Sequence, residues 1–455
     1  MSSGFKIRVL AVFLILVFLL TSGLGCKWKQ KELAKKAPSV NLIYWRTTDK
    51  PDDFGEIITN FRKLYPQVSV VVKIFKEEEY KKELLEAFAE DRGPDIFSIP
   101  AAWLYEYKTK LLPMPQEMTM IRTTIVGTIK KEEKLVEDKI PGLTLRNLKE
   151  TYTETVAGDA MIDNQIYGLP LSLDLLALYY NRDLLNNAGI PKPPETWESF
   201  VEDVKLLTLL DREGNFISSG AALGSSENVN YLVDILSLLM MQNGSSMSEK
   251  GRAAFNQPAA ADSSYFPSQE ALRFYTDFSN PSKEVYSWNK KMPNSLEAFT
   301  SGKTAFYFGY AADLEKIKLM APKLNFDAAP APQIAGSLKQ VNYGNYYLEV
   351  VSKKTKTPAS AWSFLLFASK QEQISTFLGR AKKPTAHRAL IEKQLQDYDL
   401  SPFAKGVLTA KTWYQGNNYN LVKEAFKEMV KGIEDGTMDF KKAVKYAVDK
   451  VNLTY

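Results

Sequence analysis

Three apolar stretches, separated by two amphipathic ones, open the body of this chain, and that alternation limits its fold more than any other feature. The first, "NLIYW" (41–45), has the length of a strand. Phe54, Ile57, Ile58, Phe61 and Leu64 then fall on one face at helical spacing, with Pro51, Asp52 and Asp53 suited to a first turn. "VSVVVKIF" (68–75) is a β-branched run that predicts a buried strand. Tyr80, Leu84, Leu85 and Phe88 repeat the helical stripe, and "GPDIFSIP" (93–100) predicts a third strand after a Gly-Pro turn. Strands that alternate with helices pair in parallel, because a parallel crossover needs about a helix's length of chain. The expected class is α/β.

Open sheets of this kind bind ligands beyond the carboxyl ends of their strands. Trp45, Arg46, Thr47, Thr48 and Asp49 leave the first strand, and Ala101, Ala102 and Trp103 leave the third. A ring, a guanidinium and a carboxylate at one strand end suit a polar, ring-shaped ligand. The same residues admit a second arrangement, with Trp45 in the core and Arg46 paired to Asp49.

The amino-terminal stretch reads differently. A run of apolar residues, Val9–Leu20, follows Lys6 and Arg8 and precedes the small residues Ser22, Gly23 and Gly25. This is the layout of a secretory signal, and the run is shorter than the roughly 20 residues that a membrane-spanning helix needs. Cys26, which follows, is the single cysteine of the chain, and His387 is the single histidine. They are too few for a disulfide or a structural zinc site within one chain. Gly23-Leu24-Gly25-Cys26 resembles a bacterial lipobox, in which the peptide is cut before a cysteine that becomes lipidated; Gly25 and Cys26 match the pattern and Gly23 departs from it. The expected organisation is a signal peptide over 1–25 and a lipidated tether over 26–40.

Charge follows the same division. The leader contributes two positive charges and the tether a net four, from five lysines against Glu32, which leaves the body at −1 of the chain's formal +5. The basic balance thus belongs to the tether, where it favours anionic headgroups, and no face for nucleic acid is implied. The body, about 415 residues long, is too large for one core and points to two domains or so.

Three further stretches carry a resemblance. "IYGLPLSLDLLALYYNRDLLNNAGIPKPPETWESF" (166–200), "EAFTSGKTAFYFGYAADL" (297–314) and "VNYGNYYLEVVSKKTKTPASAWSFLLFAS" (341–369) occur in this order. Their order and wording resemble family 1 of the bacterial extracellular solute-binding proteins, the sugar-binding group typified by maltose-binding protein. The resemblance covers residues 41 to about 395. It implies a periplasmic-binding-protein-like fold of type II, with two hinged α/β lobes and a ligand cleft between them. Projected on this chain, one lobe takes 41–172 and 309–344, and the other takes 173–308 and 345–455. It further implies a monomer that captures a carbohydrate by closing its lobes and delivers it to the permease of an ABC importer. Such a receptor works outside the cytoplasm, here lipid-anchored to the membrane through Cys26, with no enzymatic activity, cofactor or metal.

A sugar offers apolar ring faces and hydroxyl edges, so its site needs aromatic platforms beside amides, carboxylates or Arg. The cleft-edge segments nominate Trp45, Arg46, Asp49, Trp103, Asp174, Trp288, Tyr310, Tyr343, Asn345 and Trp413 as ligand-binding residues. For Asp174 the alternative is a hinge carboxylate bonded to backbone amides. Few net charges among the aromatics favour a neutral ligand. A polyamine, peptide or glycerol phosphate in the same fold, and an exported glycoside hydrolase, are the competing readings. No G-x-S-x-G elbow occurs, and His387 has no evident catalytic partners in the sequence.

Overall fold

The computed structural model describes residues 38–47, 49–126 and 132–455. The signal-like run, Cys26 and the tether up to residue 37 lie outside the described residues. Among the described residues no helix is long and apolar enough to cross a membrane.

The alternation of the opening segment builds the sheet it implies. Val40–Thr47 pairs in parallel with Val68–Phe75 along its whole length and with Ile96–Pro100 on its other side. The helices Gly55–Leu64 and Glu77–Ala89 make the crossovers, burying Ile57 and Phe61, and Tyr80, Leu84 and Phe88 of the two stripes, while Leu64 and Leu85 stay exposed. Two later segments complete this sheet in antiparallel fashion: Tyr347–Val351 against Ile96–Pro100, and Gly168–Pro170 beyond it.

A second five-stranded sheet runs in the order Leu209–Leu210, Phe216–Ala221, Thr304–Gly309, Ala177–Asn181, Phe326–Pro330. All six residues of Thr304–Gly309 are buried, as suits a central strand. The chain reaches this strand through the helix Ser295–Thr300, which ends at Gly302 with a positive φ of 75°, a conformation that costs glycine little.

The two sheets carry separate cores. One core cluster runs from Leu42 to Leu175 and resumes from Tyr346 to Ala410. The other runs from Leu176 to Tyr343 and resumes from Trp413 to Val451. The chain therefore passes between lobes three times, and each passage is a short strand: Asp174–Leu175, Asn342–Asn345 and Ala410–Lys411. These three pair with one another, Asn342–Asn345 in the middle, parallel to Ala410–Lys411 and antiparallel to Asp174–Leu175. The hinge is thus a small sheet of its own.

This corrects the expected lobe boundaries. Residues 309–344 stay with the second lobe, because Ala311, Leu314 and Ile317 pack on Ala177 and Tyr179, and Phe326–Pro330 pairs with Ala177–Asn181. Residues from about 346 to 391, with Val407 and Ala410, pack in the first lobe instead, while Phe403 packs on Tyr179 of the second. The helix Pro358–Ala368 buries Ser360, Ala361, Trp362, Ser363, Phe364 and Leu365 in succession, so it has no solvent face to turn outward. Each large side chain of this kind contributes roughly 1.5–3 kcal/mol when buried, which ties the helix to the first sheet. The first passage falls at Asp174–Leu175, against the expected boundary at 172, and the final return to the second lobe at Ala410–Lys411 was not foreseen.

Candidate ligand site between the lobes

The hinge strands fix what faces the cleft. A cavity of about 40 Å³ lies where they meet, lined by Tyr343, Gly344, Asn345 and Tyr346 of the middle passage and by Thr412, Trp413 and Tyr414 just past the third. The first lobe adds Pro100, Ala101 and Ala102, from the end of Ile96–Pro100, together with Asp159; the second lobe adds Tyr419. A strand turning into a loop at its carboxyl end is where a sheet of this class presents its site. Small-molecule pockets usually enclose about 300–1,000 Å³, so a ligand of that size enters here only if the lobes part.

One carboxylate lines the cavity and a second stands behind its lining. Asp159 ends the helix Glu154–Asp159 and accepts hydrogen bonds at Oδ2 from the Tyr346 hydroxyl at 2.8 Å and from the Thr412 hydroxyl at 2.6 Å. It therefore joins the first lobe to the residues that follow two of the passages. Asp234 lies in the first turn of Leu232–Gln242 and accepts from the hydroxyls of Tyr310 at 2.7 Å and Tyr419 at 3.3 Å. Burial pushes each carboxyl up to about 6 against the pull of those hydroxyls.

Of the nominated residues, Tyr343, Asn345 and Trp413 line the cavity. Tyr343 and Asn345 are two apart in a strand and so share a face. Trp413 is held by its indole N–H, which donates to Ser237 Oγ at 2.9 Å, and by stacking on Phe426. Trp103 directly follows Ala101 and Ala102, but its ring already stacks on Tyr107 and carries the Lys81 ammonium at 4.7 Å. Tyr310 stands behind the lining, bonded to Asp234 and packed edge-on against Tyr231.

Five nominations lie elsewhere. Trp45 is buried against Phe75 in the first core. Arg46 and Asp49 pair with each other beneath it, Nη2 to Oδ2 at 2.5 Å, as the second arrangement of the sequence reading had it. Arg46 also reaches Glu349, on a strand adjoined only in the fold, and Lys383 closes the group on Asp49 at 2.5 Å. Burial alone would raise the Asp49 carboxyl, but Arg46 and Lys383 outweigh it and hold the group below its ordinary value. Asp174 spends its carboxylate on the backbone N–H groups of Ala311 and Ala312, at 3.1 and 3.3 Å, capping the helix Ala311–Met320; burial still pushes it up to about 7. Trp288 is fully buried beside Ala222 and Ala298, its N–H donating to Asn228 at 2.8 Å.

Asp159, Asp234, Thr412 and Tyr419 were missed by the sequence reading. Asp159, Thr412 and Tyr419 line the cavity and Asp234 stands behind Tyr419, placements that no local pattern announces. A larger space, about 330 Å³, lies away from the hinge between Leu314, Lys318, Phe326, Asp327, Tyr398 and Asp399. It is an open surface groove with one rim closed by the Lys318–Asp399 ion pair at 3.3 Å, and it gathers fewer aromatic rings than the smaller hinge cavity. Among the described residues no group of three or more His, Cys, Asp or Glu could hold a metal ion.

Two lobes, each with its own sheet and core, joined by three strands around a cavity of rings and polar groups, define a hinged binding protein of the type II periplasmic kind. Residues 56–388, well over half of the chain, match the family model of bacterial extracellular solute-binding proteins, and the chain belongs to that family. A putative binding protein of Brucella abortus (strain 2308) is 24% identical over 263 residues, 56% of this chain and 59% of the relative. The chain therefore spans about three-fifths of that curated relative's length. A multiple sugar-binding protein of Streptococcus mutans is 23% identical over 316 residues, 67% of this chain and 72% of its own. Among solved structures, a cyclo/maltodextrin-binding protein complexed with maltotetraose aligns with a TM-score of 0.69 at 15% identity, covering 92% of this chain and 97% of that one. A solute-binding protein of Thermotoga lettingae bound with alpha-D-tagatose gives 0.67 at 18%, covering 91% and 100%. At these identities the structural likenesses establish the fold.

Proposed function

We propose that this protein is the capturing receptor of an ABC importer, taking a carbohydrate between its lobes and presenting the closed form to a membrane permease. The observation that carries the reading is the cavity at the hinge, where Tyr343, Tyr346, Trp413, Tyr414 and Tyr419 surround Asn345 and Asp159. Rings supply faces for a sugar to stack on, and the amide and carboxyl groups accept or donate to its hydroxyls. The relatives named for galactooligosaccharide, multiple sugars and maltodextrin support a carbohydrate, and the solved neighbours that hold maltotetraose and cycloalternan support an oligosaccharide. The ligand residues we assign are Tyr343, Asn345, Trp413 and Asp159, with Tyr310 and Asp234 as their support. The protein binds without turnover, and Cys26 tethers it to the outer face of the membrane.

A thermal-shift screen of the purified body against mono- and oligosaccharides, polyamines and peptides tests the function, since a ligand that binds the native state raises the melting temperature. A shift with sugars alone is expected; a shift with a peptide or polyamine and none with any sugar would replace the carbohydrate. Cys26→Ser is expected to release the protein from membranes. Retention of that variant on the membrane would remove the lipid tether from the reading.

A further inference from the structure

The hinge cavity has an electrostatic character that a neutral sugar does not need. Asp159 is its one charged lining residue among those described, set among five rings: Tyr343, Tyr346, Trp413, Tyr414 and Tyr419. Both of its hydrogen bonds end on Oδ2, so Oδ1 receives no donor from any described residue. The donors it has are neutral hydroxyls. Its place as the last residue of the helix Glu154–Asp159, at the negative end of the helix dipole, makes the position harder still for an anion. Asp234 differs in that both of its oxygens are taken, by Tyr310 and Tyr419.

We infer that the cavity selects a sugar bearing a protonated amine, its ammonium bonded to Oδ1 of Asp159 and packed against the surrounding rings. The inference rests on the cleft being the sugar site proposed above. Ring faces attract a cation, and several of them around one carboxylate form a cage for an ammonium. Asp159 is half-buried at the cavity wall, and no cation among the described residues lines the cavity to compensate; burial accordingly pushes the carboxyl up to about 6. A ligand ammonium supplies the missing charge, whereas a hydroxyl supplies only a neutral donor of the kind already present. This departs from the neutral ligand expected from composition.

Matched pairs test it: glucosamine against glucose, galactosamine against galactose, and the β-1,4 oligomers of glucosamine and of glucose, titrated by calorimetry at pH 7.5 on the protein and on Asp159→Asn. The amine member of at least one pair is expected to bind about tenfold tighter than its neutral partner, as charge-assisted hydrogen bonds are the stronger ones. The side-chain amide of Asp159→Asn keeps an acceptor oxygen for Tyr346 and Thr412, and the preference, read as the ratio of affinities within each pair, is expected to vanish in the variant. Because the pairs are compared on the unmodified protein, the test stands even if the variant folds poorly. Equal or tighter binding of the neutral member throughout would overturn the amine inference and leave the sugar receptor intact. Binding of spermidine with no response to any sugar would overturn both.

Discussion

Two polar clusters in this molecule both set carboxylates against tyrosine hydroxyls and reach opposite electrostatic ends. In the first lobe, Tyr44, Arg46, Asp49, Glu349 and Lys383 form a sealed group in which two carboxylates face two cations. At the hinge, Asp159 faces the Tyr346 and Thr412 hydroxyls, with no cation among its hydrogen-bond partners. The first cluster is finished by the chain itself. The second is left for something else to complete, and it lies between the lobes. Burial by itself therefore does not distinguish a structural cluster from a binding one; the balance of charge within it does.

The contrast breaks most visibly at Arg46. Replacing it with Ala leaves Asp49 with Lys383 alone and Glu349 with neutral partners, and losing one partner of a buried pair costs about 3–5 kcal/mol. Urea unfolding is expected to show a loss of that size, and a loss under about 1 kcal/mol would mean that the cluster is hydrated and weak. Trp288→Phe removes one buried hydrogen bond and part of a ring, at about 1–3 kcal/mol, and is expected to leave sugar affinity unchanged in calorimetry. A large fall in affinity with intact stability would return Trp288 to the site. Asn345→Ala, at an exposed hinge position, is expected to act the other way, weakening the ligand about tenfold with little change in unfolding.

The smallest effect is the dependence on pH. Asp174, pushed up to about 7, binds a proton more readily folded than unfolded, so its protonation adds stability as pH falls from 8 to 6 and that stability is lost again as pH rises. Urea unfolding of the protein and of Asp174→Asn at both pH values is expected to differ in slope by about 1 kcal/mol. The subtraction removes His387, whose burial lowers its pKa and which therefore works in the opposite direction below about 6.5. Asp49, held below its ordinary value, contributes stability that is present above about 3.8 and lost as pH falls through its folded value, so the first lobe weakens in acid. Parallel slopes for the protein and Asp174→Asn would show that Asp174 is solvated.

What was legible in the sequence follows from the range of the forces involved. The first sheet could be read because its stripes and β-branched runs are local, and the motif order placed the family. Arg46 and Asp49 looked like a site because a strand end with charge is ambiguous until its partners are known, and two of those partners, Glu349 and Lys383, come from some 300 residues away. The lobe boundaries failed for a related reason. Thr304–Gly309 and Asn342–Asn345 are both short strands near tyrosines, and only their pairing shows that the first stays in its lobe while the second crosses. Tyr343, Asn345 and Trp413, which line the hinge cavity, could be nominated because they lie on or beside the passages; Asp159 and Asp234, on helices away from them, could not.

Small-angle scattering of the purified protein, with and without a saturating oligosaccharide identified by the thermal-shift screen, measures the hinge directly. Capture between the lobes requires the radius of gyration to fall on binding, since the open form must part the residues that now line a cavity of about 40 Å³. Saturable binding with an unchanged radius would contradict it and move the ligand off the cleft.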